Sequence, residues 1–110
     1  LVIAKPANAQ YAATMTERFE PLLVICSFPT ADSARQIGTL LLEKQLAACV
    51  TLLPQANSLY RWKGAIEQSE EVIAHIKTSR TLFPHLAALL RENHPYEVPE
   101  IIATAITAAG

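Results

Sequence analysis

Residues 58–79, SLYRWKGAIEQSEEVIAHIKTS, decide the fold. Lys63–Gly64 supplies a tight turn, and on its far side Val72, Ala74 and Ile76 alternate with Ile73, His75 and Lys77. A period of two is the signature of strands, so the stretch reads as a β-hairpin. At about 3.3 Å per residue, the arm from Ala65 to Thr78 reaches about 45 Å. A helix of about 15 residues spans only about 22 Å. One helix layer therefore cannot cover the ribbon. It must protrude, carrying Tyr60, Trp62 and Ile66 along open strand edges, and such edges are usually paired or covered. Association with other copies of the chain is expected; the alternative is a frayed, solvated tip.

The flanking segments complete a pattern. PLLVICSF (21–28) is a short branched apolar run, read as a buried strand. In PTADSARQIGTLLLEKQLA, Thr30 or Asp32 can cap a helix, and Ile37, Leu40, Leu41 and Leu46 recur at helical spacing. ACVTLLP (48–54) is a second strand that Pro54 ends or bends. TLFPHLAALLRENH is a second helix, with Thr81 as its cap and Pro84 in its first turn, and EVPEIIATAIT (97–107) is a fourth strand. The order is β-α-β-β-α-β. This predicts an α+β, ferredoxin-like sandwich with both helices on one face of an antiparallel sheet and an extended hairpin.

The 110 residues fit one domain, spanning residues 21–110. Residues 1–20 have weak periodicity and are expected to be a tail, disordered or foreign to the natural chain, with Met15 a candidate start. Hydrophobic residues make up 51% but aromatics only 6%, so the core is built from Leu, Ile, Val and Ala. The net charge of −1 with interspersed signs shows no basic patch for nucleic acid or a membrane surface. No apolar run approaches the roughly 20 residues of a membrane helix. Cys26 and Cys49 lie far apart and form no CxxC pair, so reduced thiols and a cytoplasmic location are expected. Three glycines, with no G-x-S-x-G, H-E-x-x-H or phosphate loop, argue against an enzyme.

Four pieces, LLEKQLAACVTLLP, SLYRWKGAIEQSEE, IKT and HPYEVPEII, come in an order and spacing that resembles the CutA divalent-cation tolerance family. The resemblance covers residues 22–107. It implies a compact homotrimer whose hairpins pair between subunits, binding of copper or other divalent cations, and a role in metal tolerance. Members usually continue past the last strand into a segment carrying Tyr and Trp; the sequence here ends in TAAG. Either that segment lies beyond this sequence or the protein lacks it, and in the second case weaker trimer packing and a less covered strand edge are expected.

The most suggestive local stretch is NHPYEVPE (93–100). Each proline pushes its predecessor, His94 or Val98, out of helical conformation, so Pro95 stops the helix near Asn93. Asn93 tolerates the left-handed geometry that often ends a helix. A stiff connector needs only the prolines, which leaves His94 and Tyr96 to explain. The resemblance places the family's copper ligands on Cys26 and His94, as a weak thiolate–imidazole site. Some members carry a second His where this chain has Asn93. The competing reading makes Cys26 a small core hydrophobe. His75 and His85 lack metal-spaced companions and read as incidental, and Cys49 reads as core.

A second constellation is Tyr60, Trp62, Glu71, Lys77 and Tyr96. In a trimer these residues line a cleft between subunits, which would suit a small-ligand sensor or scaffold like the PII signalling proteins. The competing reading is a plain interface with a buried Lys–Glu pair.

Overall fold

The computed structural model describes residues 20–110. The tail expected at residues 1–20, Met15 included, lies outside them apart from Glu20. The backbone carbonyl of Glu20 accepts the Arg80 N–H at 2.9 Å.

Strand β1 (Pro21–Phe28) leads into helix α1 (Ala31–Glu43). Strands β2 (Cys49–Trp62) and β3 (Ala65–Ser79) form the hairpin, and helix α2 (Phe83–Asn93) returns the chain to β4 (Ile101–Ala105). The sheet order is β2-β3-β1-β4, and β1 runs antiparallel to both neighbours. This is the expected ferredoxin-like α+β sandwich. Both helices lie on the face to which Val24, Cys26, Phe28, Val72, Ala74 and Ile76 point, and with Leu41, Leu86 and Leu90 these residues form the core. No helix among the described residues is long and apolar enough to cross a membrane.

Alternation along the hairpin holds as read, with Val72, Ala74, Ile76 and Thr78 buried against half-buried Ile73 and His75 and exposed Lys77. At the turn, Lys63 and Gly64 have φ of 50° and 81°. Two consecutive positive values match the twist of a two-residue hairpin loop. The second strand and the near hairpin arm are one 14-residue strand. Pro54 does not end it. A register shift between Leu53 and Ala56, with Gln55 at φ 61°, lets the ladder pass the residue that lacks an N–H.

Strand β1 pairs with β3 only from Val72 to Ser79. Residues Ala65–Glu71 of β3 therefore hold β2 alone, and this ribbon sets the 49 Å long axis of a molecule only 26 × 24 Å across. Leu59 and Ile66 lie on one side of it, Tyr60 and Trp62 on the other, and all four are exposed. Both faces of the ribbon thus present apolar surface.

Four details correct the sequence reading. Leu46 is not helical: α1 ends at Glu43, Gln45 takes φ 59°, and the Leu46 and Gln45 N–H groups bond the Leu41 and Leu42 carbonyls. This is a Schellman cap, whose wrap returns Leu46 to the core. Thr30 caps α1, its hydroxyl accepting the Ser33 N–H at 3.1 Å, but Thr81 does not cap α2; Ser79 Oγ takes the Leu82 N–H instead. The fourth strand is only Ile101–Ala105, because Pro99 cannot donate to a ladder. Cys49 is not core: it sits opposite exposed Lys77, on the face away from the helices.

Gln45 carries the left-handed strain that glycine avoids, about 1–2 kcal/mol, against about 0.5–1 kcal/mol for glycine's extra unfolded freedom. Gln45→Gly is therefore expected to stabilise the chain by about 0.5–1 kcal/mol in urea denaturation. A loss of stability would mean that the Gln45 side chain itself holds the cap.

Candidate functional site

The stretch NHPYEVPE closes over the end of β1. Pro95 forces its predecessor out of the helix, and His94 caps α2 at φ −70°, ψ 139°, its N–H still bonding the Leu90 carbonyl at 2.8 Å. Asn93 stays helical rather than left-handed, its Nδ2 donating to the Leu89 carbonyl at 2.9 Å.

The imidazole of His94 is buried and uses both nitrogens. Nδ1 accepts the Tyr96 N–H at 3.0 Å, so the ring proton resides on Nε2, which donates to the Ser27 carbonyl at 2.7 Å. The ring stacks on Phe28 at 4.6 Å between centroids, and Tyr96 packs on it at 5.0 Å. Burial holds its pKa below the ordinary value, outweighing the opposing pull of the Ser27 carbonyl and the Glu71 charge. His94 is thus a neutral clasp joining α2, β1 and the connector.

Cys26 lies in the core with no exposed surface. Burial, and after it the charges of Glu100 and Glu71, push its thiol up to about 12. A metal needs a thiolate and a free imidazole lone pair. As folded, Cys26 and His94 offer neither, and no group of three or more metal-holding side chains occurs among the described residues.

Of the five residues expected in a cleft, one pair meets within the chain. The Tyr96 hydroxyl donates to Glu71 Oε2 at 2.6 Å. Burial first, then this bond and the carboxylate charge, raise the Tyr96 pKa and keep the phenol protonated. Glu71 is the first residue of β3 beyond its pairing with β1, where the sheet edge opens and the connector can reach it. Beside it a hollow of about 290 Å³ is lined by Pro29, Thr30, Ala31, Pro54, Gln55, Glu70, Glu71 and Val72. Tyr60 lies near enough to Tyr96 to add to the rise in its pKa. Trp62 and Lys77 each stand about 20 Å from Glu71 along the ribbon, six strand steps in opposite directions. Within one chain Glu71 therefore has tyrosine, not Lys77, as its partner. Ser27 and Phe28, which hold His94, carried no sequence signal, because their role depends on α2 ending over β1. His75 lies on the open sheet face and His85 on the exposed first turn of α2.

The family model described as CutA1 divalent ion tolerance protein matches residues 22–110. The Homo sapiens relative named Protein CutA is 47% identical over 101 residues, 89% of this chain and 56% of its own length. The Thermus thermophilus divalent-cation tolerance protein CutA is 39% identical over 84 residues, 76% of this chain and 82% of its own. The chain spans about half the length of the vertebrate relatives it matches. Among solved structures, CutA1 from the psychrotrophic bacterium Shewanella sp. SIB1 superposes with a TM-score of 0.80 at 44% identity. That match covers 83% of this chain and 85% of the other.

Acidification tests the clasp. A histidine held below its ordinary pKa near 6.5 contributes stability above that pH and loses it as pH falls through the folded value. Thermal melts from pH 7.5 to 5 should show stability falling below about pH 6.5, and His94→Gln should be less stable at pH 7.5 with a flatter slope. An equal slope in the variant would contradict the assignment.

Proposed function

The chain belongs to the CutA1 divalent ion tolerance family, and from that premise we propose that it serves divalent-cation tolerance as a self-associated homotrimer that meets copper or another divalent cation. The observation that carries association is the ribbon. It extends past the helix layer with Leu59, Tyr60, Trp62 and Ile66 exposed on both faces, so a single flat contact cannot cover it. Cover on both sides is what neighbours in a closed ring would supply. The number three rests on the family resemblance. Two free thiols fit a reducing, cytoplasmic setting.

The Cys26–His94 pair does not fit a resident metal as folded. Accepting one would require Nδ1 to release the Tyr96 N–H and the buried thiol to ionise. We therefore assign His94 to architecture and place the cation contact elsewhere on the assembled protein. A second reading, a PII-like small-ligand sensor, draws on the Glu71 carboxylate beside its hollow. Glu71 is buried with a neutral partner, so a ligand there would be cationic. A thermal shift with a small organic cation, but not with metal, would favour it.

Three outcomes are expected. Light scattering should give a trimer mass at micromolar concentration. The double variant Trp62→Glu, Ile66→Glu should be monomeric with unchanged far-ultraviolet circular dichroism, since each lost apolar anchor is worth about 2–3 kcal/mol. A monomeric wild type would overturn the proposal. In copper calorimetry, His94→Ala should lose stability yet take up as much copper as wild type. Loss of uptake with the trimer intact would return the ligand role to His94.

A further inference from the structure

Three features coincide where the ribbon leaves the body of the molecule. Pairing of β3 with β1 stops at Val72, so Glu71 is the first residue that β2 alone holds. On β2 the register moves from Leu53 opposite Ile73 to Ala56 opposite Glu71, which sets two residues against one. That is a β-bulge, which bends its strand and sharpens the local twist. It is built from Pro54, which has no N–H to give, and Gln55, held at φ 61°. A residue other than glycine keeps such a left-handed backbone only where its surroundings enforce it. Third, the Tyr96 hydroxyl donates to Glu71 Oε2 at 2.6 Å. Among the described residues, it is the one side-chain hydrogen bond that ties the body to Ala65–Glu71. Beside all three lies the hollow of about 290 Å³. Pro54, Gln55 and Glu71 stand on one wall of it, and Pro29, Thr30 and Ala31, from the turn between β1 and α1, on the other. On that side no packing fixes the angle of the ribbon.

We propose that the Tyr96–Glu71 bond and the Pro54–Gln55 bulge form a locked joint that fixes the angle at which the ribbon leaves the sheet, and that a second copy of the chain is recognised only at that angle. The first half concerns this chain alone, and the second rests on the proposed self-association. From Glu71 to Ala65 the arm is about 20 Å long, so a swing of about 10° moves its end by about 3.5 Å. Packed apolar surfaces do not tolerate that, since a gap of about 0.5–1 Å already forfeits roughly a quarter to a half of each dispersion contact. The bulge supplies the bend and Tyr96 holds it. A hydrogen bond to a carboxylate is about twice as strong as one between neutral groups, and Glu71 is buried, which strengthens it further. Tyr96 is anchored in turn, its N–H on His94 Nδ1 and its ring against the imidazole. The clasp thereby passes its rigidity to the ribbon, which gives Tyr96 a role that the two prolines of the connector cannot fill.

The distance between the ribbon end and the body, read by double electron–electron resonance, tests the joint. Nitroxides are placed on Ala65→Cys and Arg91→Cys, both exposed positions, in a Cys49→Ser background, while Cys26 is sealed in the core. Labelled chains are refolded with an excess of unlabelled ones, so that distances are read within single chains. The otherwise wild-type chain should give one narrow distribution. Tyr96→Phe keeps the ring and loses only the hydroxyl; it should broaden the distribution, and so should Glu71→Ala. Both should raise the concentration at which the assembly half-dissociates, read by light scattering, by about tenfold or more. Glu71→Gln keeps an acceptor oxygen and should behave as wild type does. A bond with a merely structural role would lower thermal stability and leave both the distance and the association alone. Tyr96→Phe as narrow as wild type, or broadened without weaker association, would overturn the proposal. A monomeric wild type would overturn self-association, while the same broadening would uphold the joint.

Discussion

Strands about 50 Å long meet helices of about 20 Å, and this mismatch governs the molecule. Where β1 pairs with β3, the helices cover one face and every even-numbered side chain from Val72 to Thr78 is buried. Where β1 ends, at Phe28, cover ends too, and the hairpin continues alone for seven residues of β3. The same point is where the connector folds down, Tyr96 meets Glu71 and the hollow opens. A two-stranded ribbon is marginal in water unless something packs on it. The apolar side chains on both of its faces therefore describe a part shaped for neighbours.

The end of β1 is also where polar groups must be resolved inside the core. His94 satisfies two of them at once, taking one N–H from the connector and giving one to the strand. No buried side-chain nitrogen or oxygen among the described residues lacks a partner. That completeness separates the clasp from a metal centre. A ligand set keeps a lone pair aimed at open space, whereas here both ring nitrogens are engaged and the nearby thiol is held protonated by the same burial.

Most of the fold was legible because it depends on local chemistry. Period-two alternation in EVIAHIK set the hairpin, Lys63–Gly64 its turn, Thr30 or Asp32 the start of α1 and Pro95 the end of α2. The misreadings sit where two local signals compete. Leu46 keeps helical spacing yet lies past a left-handed Gln45 that no glycine advertises. Pro54, read as ending or bending its strand, does the second: a bulge beside it carries the ladder past.

Local patterning settled which elements form, their order and most of the core, though not the place of Cys49, because alternation and capping act over a few residues. It also showed that the hairpin outreaches its helices. Only the tertiary structure decided what His94, Cys26, Glu71 and Cys49 can do. Their chemistry depends on register and on which helix end lies over which strand. Those contacts join residues as distant as Ser27 and His94, and no local pattern encodes them. A one-residue slip of β2 would have put Cys49 in the core, and a separate slip of β1 would have turned Cys26 out of it.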